Sequence, residues 1–279
     1  MKGAPPGGRP ARSRRRRLGQ HFLVQRQAVE RVVQAISPAA GQRFLEVGPG
    51  RGALSLPLCA AGARILAVEL DGALVRLLRM RSLGGGALVV VEGNILKVDL
   101  NALVSENFPE GGPIRAVGNL PYSVASPALH RLLARPDLFS DWTFMLQREV
   151  ADRILASQGS RLFGVMTLLC AVRAAPRKAF DLSPACFSPP PEVHSTLLHF
   201  VPRPPFFSSE TELAAFQRVV KAAFASRRKM LRNTLCAGLR MGTEPIEEAL
   251  RAAGLNPEDR PEQVPLEGYV ELSRRLGPG

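Results

Sequence analysis

The sequence predicts an α/β protein, with a mostly parallel sheet covered by helices on both faces and a small all-helical domain after it. Three observations lead there. Short apolar runs alternate with amphipathic stretches from about Gln27 to Val201, the pattern of strands each followed by a helix. A glycine turn, Gly48-Pro49-Gly50-Arg51-Gly52, follows the first apolar run, which is where open parallel sheets bind nucleotide-like ligands. The alternation stops at Pro202-Arg203-Pro204-Pro205, and the chain beyond it carries helical periodicity alone.

Residues 1 to 17 hold Lys2, Arg9, Arg12, Arg14, Arg15, Arg16 and Arg17 with no acidic residue and few apolar ones. Such a stretch cannot bury a core and is expected to be a disordered basic arm. It lacks the apolar segment of a secretory signal. Its arginines are those of a mitochondrial transit peptide, but no amphipathic helix accompanies them. Phe44 to Val47 reads as the first buried strand, and Ala53 to Ala61 suits a helix in which Pro57 is the one awkward residue. Further strands are expected at Arg64 to Val68, Ala87 to Glu92, Ile114 to Val117 and Trp142 to Leu146. Leu162 to Val172 is the longest apolar run; it is shorter than the ~20 residues of a membrane span and reads as a buried strand or helix. Strands at Arg173 to Phe180 and Thr196 to Phe200 complete the sheet. Pro189-Pro190-Pro191 cannot lie in a central strand and is expected to form a rigid loop at the edge of the site. Helices are expected at Glu210 to Phe224, Lys229 to Leu239, Pro245 to Ala253 and Leu266 to Leu276. The division is therefore an arm at 1–17, an α/β domain at 18–202 and an all-helical domain at 203–279.

The chemistry is concentrated in Ala116-Val117-Gly118-Asn119-Leu120-Pro121-Tyr122. The exocyclic amine of adenine delocalises its lone pair into the ring and attacks poorly until acceptors bind its hydrogens and let it pyramidalise. The Asn119 side-chain oxygen and the Leu120 carbonyl supply two acceptors, Pro121 stiffens the turn, and Tyr122 offers a face on which a base can stack. An ordinary strand-end turn uses the same residue types. Upstream, Gly48 and Gly50 allow a ligand close to the backbone. Glu69 follows Gly48 by 21 positions, near the spacing of an acid that binds ribose hydroxyls. The glycine spacing departs from G-x-G-x-x-G, which disfavours a dinucleotide.

On these residues the chain resembles the class I S-adenosylmethionine-dependent methyltransferases, with their Rossmann-like sheet. More narrowly, it resembles the bacterial small-subunit ribosomal RNA adenine dimethyltransferases. The resemblance runs from Leu18 almost to the end. Its blocks are Leu18-Gly19-Gln20-His21-Phe22-Leu23, the Glu-Val-Gly-Pro-Gly turn, Val68-Glu69-Leu70-Asp71, and Gly118-Asn119-Leu120-Pro121-Tyr122. They continue with Phe144-Met145-Leu146-Gln147-Arg148-Glu149-Val150, Phe187-Ser188-Pro189-Pro190-Pro191-Glu192-Val193, and Arg227-Arg228-Lys229-Met230-Leu231-Arg232-Asn233. The resemblance implies one antiparallel strand among the last of the sheet. It also implies transfer of two methyl groups to N6 of each of two adjacent adenosines in the 3′-terminal hairpin loop of 16S rRNA. It assigns S-adenosylmethionine contacts to His21, Leu23, Gly48, Gly50, Glu69, Asn94 and Asn119, with Glu69 on the ribose and Asn94 on the adenine amine. The family commonly carries Asn where this chain has His21 and Asp where it has Asn94. Tyr122 and Phe187 are expected to hold the flipped-out target base between them.

Composition points the same way. The chain of 279 residues is 46% hydrophobic and carries a formal net charge of +13; it can hold a sizeable core, and its charge suits a polyanionic partner. The stretch from Leu213 to Thr243 has seven basic residues and no acidic one, and Arg227, Arg228, Lys229 and Arg232 are its expected phosphate contacts; a solvated charged face is the alternative. Cys59, Cys170, Cys186 and Cys236 lack metal-ligand spacing and read as reduced thiols of a cytoplasmic protein, which is expected to be a monomer. The four histidines form no metal motif either, and no G-x-S-x-G signature suggests hydrolysis. The partner expected is 16S rRNA within a small-subunit assembly intermediate, with no membrane and no metal. Two other readings remain: a large-subunit adenine methylase conferring macrolide resistance, and a non-catalytic assembly factor retaining the fold.

Overall fold

The computed structural model of the protein describes residues 20–82, 87–122 and 124–277. The basic arm expected at 1–17, and Leu18 and Gly19 of the opening block, lie outside the described residues. Seven strands form the main sheet: β2 (Arg43–Val47), β3 (Arg64–Glu69), β4 (Leu88–Glu92), β5 (Ile114–Asn119), β6 (Phe139–Gln147), β7 (Ala174–Leu182) and β9 (Ser195–Pro202), in the order β4-β3-β2-β5-β6-β9-β7. A separate ladder joins β1 (Phe22–Leu23) to β8 (Phe187–Ser188) antiparallel. The sheet is mostly parallel, with one antiparallel strand.

The inner strands β2, β3 and β5 are buried on both faces because helices cover both faces. Phe44, Leu45, Leu66, Ala116 and Val117 are fully buried. Helix α1 (Arg26–Ile36) precedes β2, and the first two crossovers of the sheet use α2 (Ser55–Ala60) and α3 (Gly72–Arg81). They are followed by α4 (Leu100–Asn107), α5 (Ala125–Leu133), α6 (Arg148–Ile154) and α7 (Val165–Ala171). Local chemistry sets several starts: the Asp71 carboxylate accepts from Ala73 N at the head of α3, and Asp99 accepts from Asn101 N and Ala102 N at the head of α4. The helix after the glycine turn is shorter than expected, beginning at Ser55 rather than Ala53. Pro57 is thus its third residue, within the first turn, where a missing N–H has no helical acceptor to lose.

Chain order places the site. From β2 the chain steps outward to β3 and β4, then returns to place β5 on the other side of β2. This reversal opens a crevice at the carboxyl ends of β2 and β5. Register levels those ends: Val47 pairs with Val68 on one side and Gly118 on the other, and Asn119 pairs with Met145. Gly118 is required there, because a Cβ would lie 2.6 Å from the Val47 carbonyl oxygen. β9 lies between β6 and β7 and runs to Pro202, so the linker expected at Pro202 begins one residue later.

The described residues divide into two compact units, one within 20–148 and 179–199, the other within 149–178 and 200–277. The second unit therefore takes in residues 149–178, which the sequence places within 18–202. The reason is burial: Phe163, Leu168, Leu169 and Val172 share one apolar core with Phe216, Val219, Leu235, Ile246, Leu250 and Tyr269. That core is built on α8 (Glu210–Ala223), α9 (Leu231–Leu239), α10 (Thr243–Ala252) and α11 (Leu266–Leu276). Ser209 caps α8 through Glu212 N. The helix expected from Lys229 starts instead at Leu231, with Met230 extended before it, so Arg227 to Lys229 lie in the preceding turn.

Candidate functional site

Two adjoining clefts open at the carboxyl ends of β2, β3 and β5. Gln20, Gly48, Glu69 and Pro121 line both. The first cleft is completed by His21, Leu23, Glu46, Gly50, Asn119 and Tyr122, the second by Leu70, Asn94 and Ile95 among others.

The floor is the glycine turn. Gly48 and Gly50 have φ of +66° and +60°, conformations that glycine adopts without a Cβ penalty. At Gly50 the space is also needed, since a Cβ would meet the Phe22 ring at 2.9 Å. Glu69, at the end of β3, is 3% exposed. Its Oε2 accepts from Gly50 N at 3.1 Å and its Oε1 from Asp71 N at 2.9 Å, so the acid that spacing singled out also ties its own strand to the glycine turn. Burial raises its pKa, against the lowering effect of these backbone bonds.

Sequence reasoning missed Glu46. It lies in β2, is 2% exposed and lines the first cleft. Burial pushes its carboxyl up to about 7, the Ser55 hydroxyl bond opposes the rise, and the nearby charge of Glu69 adds to it. An acid inside an otherwise apolar strand was the available signal.

Asn119 ends β5 and donates from Nδ2 to the His21 carbonyl at 2.8 Å. This bond turns the amide so that Oδ1 is its remaining polar atom, and no described residue donates to it. Leu120 is buried and donates from its own N to the Met145 carbonyl. Tyr122 is half-buried; its hydroxyl is 2.9 Å from Ser195 Oγ, and burial raises its pKa. The His21 ring lies 5.1 Å from the Tyr122 ring at 31°, and its Nδ1–H donates to the Pro189 carbonyl at 2.8 Å. His21 therefore links the opening segment, the acceptor turn and the proline loop, a role invisible in its sequence block.

Asn94 lies beside the second cleft. Its Oδ1 accepts from Leu96 N at 2.9 Å and its carbonyl from Lys97 N and Val98 N, which folds residues 94–98 into a tight turn. Arg131 holds that turn through the Leu96 and Val98 carbonyls.

Phe187 departs from the expectation that it clamps a base opposite Tyr122. It is 3% exposed, packs in the apolar core with Leu23, Val32, Leu182 and Cys186, and lines neither cleft. The cause is the β1–β8 ladder, which pairs it with Leu23 and turns its ring inward.

Of the expected phosphate contacts in the helical unit, Arg228 and Lys229 are exposed. Arg227 is exposed too, although it donates to the Arg161 carbonyl at 2.6 Å and lies over the Phe224 ring. Arg232 differs: it pairs with Glu247 at 2.9 Å, and Arg251 pairs with the same carboxylate. Its charge is used within the fold, between α9 and α10.

No helix among the described residues is long and apolar enough to cross a membrane. The sequence pattern of the family described as "Ribosomal RNA adenine dimethylase" matches residues 11–276. The chain is 39% identical over 266 residues to "Ribosomal RNA small subunit methyltransferase A" of Methylococcus capsulatus, covering 95% of this chain and 98% of that one. Among solved structures, it is similar in fold to a dimethyladenosine transferase from Plasmodium falciparum, with a TM-score of 0.76 and 20% identity over 90% of this chain and 96% of that one. It is also similar to the 23S rRNA methyltransferase ErmE, with a TM-score of 0.66 and 22% identity over 91% and 99% of the two chains.

Proposed function

The chain belongs to the ribosomal RNA adenine dimethylase family, and from that premise we propose which of its residues perform the S-adenosylmethionine-dependent methylation of rRNA adenine, and on which rRNA. The substrate is small-subunit rRNA, as the name of the Methylococcus relative suggests. Its target is N6 of two adjacent adenosines in the 3′-terminal hairpin loop of 16S rRNA, reached in a small-subunit assembly intermediate by a cytoplasmic monomer. The observation that carries the reading is the bond from Asn119 Nδ2 to the His21 carbonyl, which leaves the amide oxygen as the acceptor an attacking amine needs.

The clefts suit S-adenosylmethionine. The buried Glu69 carboxylate faces their junction, the glycine turn keeps Cβ atoms out of the floor, and apolar Leu70 and Ile95 lie beside Asn94 where an adenine ring would pack. When bound, the cofactor supplies an electrophilic methyl on a sulfonium, a good leaving group. Glu69 accepts from the ribose hydroxyls, Asn94 faces the adenine edge, and His21, Leu23, Gly48 and Gly50 form the remaining wall. Asn119 Oδ1 and the Leu120 carbonyl accept the target N6 hydrogens, and Tyr122, fixed at its hydroxyl by Ser195, stacks the base. Pro121 keeps the turn rigid. Much of the rate enhancement then comes from positioning, which is worth up to ~7–11 kcal/mol. Arg227, Arg228 and Lys229 contact RNA phosphates from the helical unit.

Methyl incorporation from labelled S-adenosylmethionine into small subunits from cells lacking this protein tests the reading. The two hairpin adenosines should be modified, seen as primer-extension stops, and large-subunit rRNA should not. Label on large-subunit rRNA alone overturns it.

A further inference from the structure

We infer that Gln20 is a cofactor ligand, its side-chain carbonyl accepting a hydrogen bond from a ribose hydroxyl of S-adenosylmethionine. The inference rests on the placement of the cofactor in the two clefts proposed above. Gln20 lines both clefts, and so do Gly48, Glu69 and Pro121; these residues form the waist between them. Its Oε1 is buried and has no hydrogen-bond partner among the described residues. A buried acceptor without a donor is costly, and native structures keep few of them without a use.

The backbone next to Gln20 is fixed, because the three residues that follow it are each seated on neighbouring segments. Phe22 and Leu23 pair with Ser188 and Phe187. The His21 ring bonds to the Pro189 carbonyl, and the His21 carbonyl takes the Asn119 amide. The Phe22 ring fills the space beside Gly50 that a Cβ would occupy. This strap holds Gln20 at the waist.

The position selects the donor. Glu69, the acid at the spacing of a ribose ligand, shares the waist with Gln20. Each Glu69 oxygen already accepts one backbone N–H and retains a second lone pair. A nucleoside placed with its base toward Asn94 and its sulfur toward Asn119 has its sugar at this waist. There a ribose hydroxyl is the available neutral donor, and a carboxamide oxygen accepts it without adding charge beside two buried carboxylates.

The test is calorimetric binding to the full chain carrying Gln20→Met, which keeps side-chain length and removes the acceptor. The Kd for S-adenosylmethionine should rise about 3- to 10-fold, the value of one neutral hydrogen bond. The Kd for 5′-methylthioadenosine, which has the base and sugar but no amino-acid part, should rise by the same factor. The Tm without ligand should be unchanged or higher, since an unpaired buried acceptor has been removed. The 2′-deoxy or the 3′-deoxy form of methylthioadenosine should bind wild type and Gln20→Met equally, a comparison that holds even if the variant is somewhat destabilised. Unchanged affinities, a loss confined to S-adenosylmethionine, or both deoxy forms still discriminating between the proteins would overturn the inference. Failure of the wild-type protein to bind S-adenosylmethionine would instead overturn the cofactor site itself.

Discussion

Replacing Asn119 with Ala separates a small structural effect from a large chemical one. Truncation removes the 2.8 Å bond from Nδ2 to the His21 carbonyl and, with Oδ1, the acceptor for the target amine. The first loss concerns one half-buried neutral hydrogen bond, worth about 1 kcal/mol. In a unit of this size that lowers Tm by roughly 2–4 °C. With total stabilities of about 5–15 kcal/mol, the variant stays folded at the assay temperature. The second loss removes an oriented contact that strengthens as N6 becomes tetrahedral, which costs on the order of 3 kcal/mol, or 10²–10³ in rate. Single-turnover incorporation of tritiated methyl into undermethylated small subunits should therefore fall by two to three orders of magnitude, with a Tm shift of a few degrees by calorimetry. Asn119→Asp keeps an acceptor but sets a carboxylate oxygen against the His21 carbonyl, so it should recover little of the lost rate. A rate for Asn119→Ala within about 5-fold of wild type, far short of the 10² expected, would refute the role given to the amide oxygen.

Phe187→Ala should destabilise by ~3–5 kcal/mol as a core truncation, seen as a shifted denaturant midpoint; a slowed transfer at unchanged stability would restore the clamp that burial argues against. Neutralising Arg228 and Lys229 together should flatten the slope of log affinity against log salt by ~0.7–0.9 per lost contact and leave S-adenosylmethionine affinity unchanged. Arg232→Ala should instead lower the Tm, because it breaks the pair with Glu247, and should scarcely change that slope; equal slope changes for all three would place Arg232 on the RNA. Glu46 gives a pH signature: its carboxyl is raised to about 7 from 4.5, so the neutral form favours folding below about 4.5 and that contribution is lost as pH rises through about 7. The cationic cofactor favours the ionised form, so its binding should release a proton near neutral pH and tighten as pH rises to about 7, measured by calorimetry in buffers of different ionisation enthalpy. Glu46→Gln should abolish the proton release, and its persistence would move the titration to another group.

The strands, the glycine turn, the acid at Glu69 and the Asn-Leu-Pro-Tyr turn were legible in the sequence, because each is a local property. An apolar run such as Phe44 to Val47 must be buried whatever covers it, a positive φ at Gly48 is a demand of one residue, and the Gly48–Glu69 spacing is the length of one helical crossover. Which of these groups meet depends on long-range packing. His21 and Asn119 are 98 residues apart, and the β2–β5 reversal and the β1 strap join them. The acid of Glu46 was visible, but its raised pKa depends on how completely neighbouring strands and Ser55 enclose it. Phe187 has an aromatic side chain equally suited to a core or a slot, and pairing with Leu23 turned it inward. The basic run from Arg227 to Arg232 looked uniform until α10 brought Glu247 to Arg232 and left Arg228 and Lys229 in an exposed turn. Residues 149–178 join the helical core for the same reason: periodicity shows that a face is apolar, and only packing shows which other face covers it.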